Sequence, residues 1–134
     1  MDDFAPPDVT AAGLYIGLNL LILLALGINV SRHRRASQTS LGEGQGALQQ
    51  ACRAFGNSAE WLPGALLGLV VAAHLGAPAL AIHVLGIMLT AGRLLFAWGI
   101  LTSPGPSVGR IGGMALTYLV YTGLGIGLVA QALI

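Results

Sequence analysis

The chain has 134 residues, 55% of them hydrophobic and only 8% charged, with 20 glycines, one cysteine and a formal net charge of +1. An ordinary soluble domain carries about 25% charged residues, so a water-facing globule is excluded, and so much apolar surface excludes a disordered chain. The glycines have no every-third spacing, which excludes collagen, and six arginines with no lysine give no basic patch for a nucleic-acid partner. What remains is an integral membrane protein.

Taken in chain order, the first predicted span covers about 11–31. Ala11 to Val30 is 20 residues without a charge, enough for a helix to cross a hydrocarbon core of about 30 Å. Asp2, Asp3 and Asp8 precede it and no small-residue cleavage site follows, so it does not read as a secretory signal peptide. R-H-R-R (32–35) and the polar run to Gly46 are expected to form the one long loop. The second span, about 47–75, carries Arg53, Asn57 and Glu60 before an apolar stretch in which Pro63 is expected to kink the helix or loosen a turn. G-A-P (76–78) reads as a tight turn. The third span, about 79–101, is interrupted only by His83 and Arg93. Two prolines and two glycines mark 102–109 as a loop, and the fourth span covers about 110–133. None of these runs alternates as membrane β-strands do. The predicted fold is all-α: a single integral membrane four-helix bundle over 1–134, with up-down topology. Gly13/Gly17, Gly64/Gly68 and Gly123/Gly127 are spaced for close helix contact.

With four spans, all six arginines fall on one side of the bilayer, which the positive-inside rule makes cytoplasmic, with both termini outside. An ionisable residue within a span is costly and generally has a partner. Glu60 and Arg93 come to similar depth on helices running in opposite directions, so an ion pair between them is expected. Arg53, Asn57, Glu60 and Trp61 stand at i, i+4, i+7 and i+8, on one helical face. That set offers a guanidinium fork, an amide and a carboxylate, suited either to a zwitterionic ligand or to a polar seam between helices. His33, His74 and His83 do not cluster, and no metal site is expected.

R-A-F-G-N-S-A-E-W-L-P (Arg53 to Pro63) resembles the second-helix signature of the MAPEG family, the membrane-associated proteins of eicosanoid and glutathione metabolism. The run from Ile82 to Gly99 resembles the third helix, especially in small bacterial members, and R-I-G-G-M-A-L-T from Arg110 is similar to the start of the fourth. The resemblance implies a homotrimer in a bacterial inner membrane, with glutathione as cosubstrate held between subunits near the cytoplasmic face. It implies glutathione-holding roles for Arg53, Asn57, Glu60 and Trp61, for Arg34 or Arg35 at the end of helix one, and a match for Arg93 to a family arginine on helix three. It assigns thiolate stabilisation to Arg110: a nearby guanidinium and a helix N-terminus both lower a thiol's pKa, and the thiolate is the nucleophile. The implied activity is conjugation or reduction of a hydrophobic, lipid-dissolved electrophile. The sequence departs from the family pattern where Phe96 and Ile100 stand in place of hydrogen-bonding side chains, and where Trp61 replaces a tyrosine. The alternatives are a protein of this fold without catalysis, or a small four-helix exporter. The absence of an acid from the first span tells against the exporter.

Overall fold

The computed structural model describes residues 7–134, with side chains from Val9 onward. Asp2 and Asp3, on which the reading of the leader rests, lie outside the described residues, as does the side chain of Asp8. Each apolar run forms one helix: α1 Pro7–Ser37, α2 Gly46–His74, α3 Ala79–Thr102 and α4 Val108–Leu133.

Seven of the eight helix boundaries fall within about four residues of those expected. The exception is the end of α1, which continues through the four residues read as the start of a loop and stops at Ser37. Arginine is a good helix former, and cations in the last turn meet the negative end of the helix dipole, so R-H-R-R extends the helix. Arg32, Arg34 and Arg35 are therefore fixed in helical register. α2 runs unbroken through Pro63. It ends in a tight turn at Gly76, whose φ of 84° suits a residue without a side chain. The backbone amides of Leu75, Gly76 and Ala77 close the freed carbonyls of Val71, Ala73 and Ala72. α4 opens on Ser107, whose hydroxyl accepts from the Arg110 amide at 3.3 Å, an N-cap that places Arg110 in the first turn.

Contacts along the helices give the up-down order. Tyr15 and Asn19 of α1 bond His83 and Thr90 of α3 in rising sequence, so these two helices run the same way. Asn57 and Gln50 of α2 bond Arg93 and Ile100 of α3 in opposed sequence, so those two are antiparallel. α1 and α4 are the one pair not in contact, and occupy opposite corners of the bundle. By length and composition α1, α3 and α4 can each cross a membrane. The 29 residues of α2 reach about 43 Å as a helix. Its first half is too polar to be recognised by composition, but it must cross because α1 and α3 point the same way.

The closest helix approach is between α3 and α4. A Cβ on Gly113 would lie 2.5 Å from the Gly92 carbonyl oxygen, and one on Gly99 2.5 Å from the Arg110 amide nitrogen. Of the three glycine pairs singled out by spacing, Gly13/Gly17 faces open space, and so does Gly127; Gly64 and Gly68 do meet α4, at Tyr121 and Leu124. One end of the bundle is filled by Leu62, Leu69, Ile82, Leu89 and Val120, and the arginine-rich end by a smaller cluster around Ala54, Phe96 and Ile100. Leu21, Leu67 and Ile126 are about two-thirds exposed, an apolar exterior that fits lipid rather than water.

Candidate functional site

Arg93 is the most buried charge among the described residues, with no exposed surface. Its Nη1 donates to Asn57 Oδ1 at 2.8 Å, and its Nη2 to Thr117 Oγ1 at 2.6 Å and to Met114 Sδ at 3.3 Å. The guanidinium also lies 5.3 Å over the Phe96 ring. The expected Glu60–Arg93 ion pair is not formed. Seven residues from Arg53 is almost two full turns, so Glu60 returns to Arg53's outward side, whereas Asn57 stands closer to the bundle and intercepts Arg93. Glu60 is exposed, and the one ion pair among the described residues joins Arg53 to Glu43 of the preceding loop, at 3.6 Å. Both of those side chains are about half exposed, so the pair contributes little.

Two of the anticipated site residues do converge. Arg53 of α2 and Arg110 of α4 line one polar cleft of about 140 Å³ at the arginine-rich end, together with Gln49, Gln50, Ile100 and Pro104. Gln50 fastens its floor by donating to the Ile100 carbonyl at 2.9 Å. Arg110 Nη1 donates to the Gly105 carbonyl at 2.8 Å, which holds the guanidinium against the α3–α4 loop. Arg110 and Pro104 also line a second, mainly apolar hollow of about 400 Å³, bounded by Phe96, Pro106, Ile111 and Met114. Arg110 thus forms the partition between a cationic cleft and an apolar one.

The remaining anticipated residues are placed apart from this cleft. Trp61 packs edge-on against Tyr118 and Tyr121 at 5.4 and 5.1 Å, and Tyr121 donates to its backbone carbonyl at 2.6 Å. Arg34 leans toward α2, with Nη2 3.7 Å from Cys52 Sγ; Arg35 is exposed at the end of α1. Phe96 and Ile100 are buried, Ile100 lining the cleft and Phe96 lining the apolar hollow beneath the Arg93 guanidinium. No group of three metal-ligating side chains is present among the described residues.

Residues 12–130 match the model of the MAPEG family. The chain belongs to the MAPEG family. It is also 34% identical over 89 residues to the inner membrane protein YecN of Escherichia coli K12, covering 66% of this chain and 68% of YecN. YecN of the O6:H1 strain matches to the same extent. In this MAPEG chain, sequence reasoning missed Gln49, Gln50, Met114 and Thr117. Gln50 was visible as a polar residue one turn before Arg53. Thr117 was not, because a threonine in a membrane helix commonly bonds its own preceding turn, as this one does to Gly113 at 2.9 Å.

Proposed function

We propose that this MAPEG protein binds glutathione at the Arg53–Arg110 cleft and joins its sulfur to lipophilic electrophiles. The observation that carries the reading is the shared position of Arg110, which borders both the cationic cleft and the apolar hollow. A reaction between an anionic thiolate and a lipid-borne electrophile needs those two environments to meet at one atom. Arg53 would grip a carboxylate remote from the sulfur, in the bidentate geometry that guanidinium and carboxylate share. Arg110, at the positive end of α4, would face the sulfur and stabilise it as thiolate. The thiol proton leaves to the aqueous interface, a carbon–sulfur bond forms, and the electrophile's leaving group departs with the bonding pair.

A cleft of about 140 Å³ is smaller than ordinary small-molecule sites, which run to roughly 300–1,000 Å³. A tripeptide therefore extends beyond it onto the outward face of α2 that carries Glu60. We place a second copy against that face, in a homotrimer, so that Glu60 meets the ligand's ammonium group rather than lipid. Arg34, turned toward α2, is the helix-one arginine best placed to contribute. By the positive-inside rule the cleft faces the cytoplasm, and inner-membrane residence follows the YecN relatives. Titration calorimetry of the detergent-purified protein with glutathione tests the reading: saturable binding that is weakened in both Arg53→Ala and Arg53→Gln supports it. Absence of binding at millimolar glutathione removes it. The apolar identity of Phe96 and Ile100 favours a second reading, a member that binds glutathione without turning over. Binding with no conjugation of any lipophilic electrophile would select that one.

A further inference from the structure

The two loops at the arginine-rich end carry a single acid, Glu43, between α1 and α2. Its carboxylate lies 3.6 Å from Arg53 Nη1. Arg53 stands seven residues into α2, about 10 Å along the helix axis, so the loop must turn back toward α2 to bring Glu43 within reach. Gly42, Gly44 and Gly46 make that turn, with φ of 80°, 65° and 57°, a backbone region that residues with side chains seldom adopt. Gly44 lies against Leu48 in the first turn of α2, where a Cβ would run into the Leu48 side chain. We propose that Glu43 is a built-in competitor for Arg53: its carboxylate latches the α1–α2 loop onto Arg53 until a ligand carboxylate displaces it and frees the loop. The latch rests on the reading of this cleft as a glutathione site.

The choice of partner points to the cleft. Arg34 and Arg35 are nearer to Glu43 in sequence, yet the acid pairs with the arginine that lines the cleft. The ion pair is also the loop's one polar tether. Among the described residues, no hydrogen bond joins 40–44 to another element, and Leu41, the large apolar side chain of this segment, is 86% exposed and does not anchor it. A ligand carboxylate that grips both terminal nitrogens of Arg53 has to move Glu43 aside, because two carboxylates on one guanidinium repel each other. The weakness of the pair suits a latch rather than a brace. Both side chains are about half exposed, so displacing Glu43 costs a ligand only about threefold in affinity.

The experiment is titration calorimetry of the full chain in mild detergent with glutathione, comparing the wild type, Glu43→Gln, Arg53→Gln and the double variant. Glu43→Gln should bind glutathione about threefold more tightly than the wild type, and should change nothing when Arg53→Gln is already present. A second readout follows the loop itself: a maleimide dye on Leu41→Cys, in a chain carrying Cys52→Ser, reports its motion through fluorescence anisotropy. Adding Glu43→Gln should lower the anisotropy without any ligand, and saturating glutathione should lower it to the same value in the chain that keeps Glu43. Unchanged affinity in Glu43→Gln overturns the proposal. Equal tightening in the Arg53→Gln background also overturns it, because Glu43 is then only a background charge. So does an anisotropy that Glu43→Gln leaves as it was. Glutathione bound by neither the wild type nor Glu43→Gln removes the reading of the cleft and the latch with it, whereas glutathione bound with an unresponsive loop removes the latch alone.

Discussion

At the scale of single residues, Arg93 shows how a buried cation is kept without a carboxylate. A guanidinium taken from water costs several kcal/mol unless its donors are met, and here neutral acceptors meet its two terminal nitrogens, an amide, a hydroxyl and a thioether, while the buried Nε has no partner among the described residues. The hydroxyl is used twice, since Thr117 Oγ1 accepts from Arg93 and donates to the Gly113 carbonyl. Thr117→Val keeps the shape and removes the acceptor 2.6 Å from Nη2. It should lower stability by about 2 kcal/mol, the value typical of a hydrogen bond to a charged group. Glu60→Gln, on the exposed side of the same depth, should leave the stability of the dissociated chain within about 0.5 kcal/mol of the wild type. Denaturant titration in mild detergent compares the two, and a large effect of Glu60→Gln with none of Thr117→Val would restore the ion pair first expected.

At the scale of elements, adjacent glycines on α4 have opposite surroundings, and the contact between α3 and α4 turns on that difference. A Cβ on Gly113 would meet backbone atoms, the Gly92 carbonyl at 2.5 Å and the Phe96 amide at 2.6 Å, whereas one on Gly112 meets nothing within 4 Å. Backbone cannot swing aside as a side-chain tip can. Gly113→Ala should therefore separate the helices and cost about 1–3 kcal/mol, while Gly112→Ala should be neutral or stabilise by up to about 1 kcal/mol through helix propensity. Unfolding midpoints of the two variants check this. α1 and α4 were legible as uncharged runs of membrane length, α3 as such a run broken by one arginine, and α2 from its apolar second half and the breakers in the loops on either side. Which glycines pack was not legible from three spacings alone. The spacing fits Gly109/Gly113 equally well, and only the rotation of α4 about its axis shows that this pair faces α3. The same limit explains Glu60. Spacing put it on a face with Asn57, but the angular difference between them decides which one turns toward Arg93.

At the scale of the whole molecule, the loops and turns bring residues from three segments to one end: Arg53 from α2, Arg110 from α4 and Gly105 from the loop between α3 and α4. Arg110 was legible as the arginine that opens α4; its place between polar and apolar hollows was not, since it depends on a loop folding back over Phe96. Glu60, exposed at membrane depth, is the reason to expect association. Mass measurement in mild detergent should give three copies, and monomers alone would count against it. The two cleft arginines should then differ in what they control. In the proposed reaction Arg53 would exchange Glu43 for a ligand carboxylate that does not change during reaction, so its contact would be as strong in the ground state as in the transition state. Arg53→Ala should mainly raise the KM for glutathione, by about tenfold for the loss of one charge-assisted pair. In the proposed reaction Arg110 would face the position where charge collects on sulfur. Its loss removes an interaction that matters most when the thiolate forms and attacks, so Arg110→Ala should mainly lower kcat, by about a hundredfold or more. It should also move the bound thiol's pKa upward toward its ordinary value of about 8.5, so that the thiolate absorbance of the complex appears only at higher pH. With a chlorodinitrobenzene as electrophile, steady-state kinetics at fixed pH and a pH titration of that absorbance separate the two roles. Unchanged turnover and an unchanged thiolate signal in Arg110→Ala, with glutathione still bound, would show that thiolate stabilisation comes from elsewhere. Arg93 could not then substitute without a rearrangement of α3, because its guanidinium is already held by Asn57, Thr117 and Met114 over the Phe96 ring.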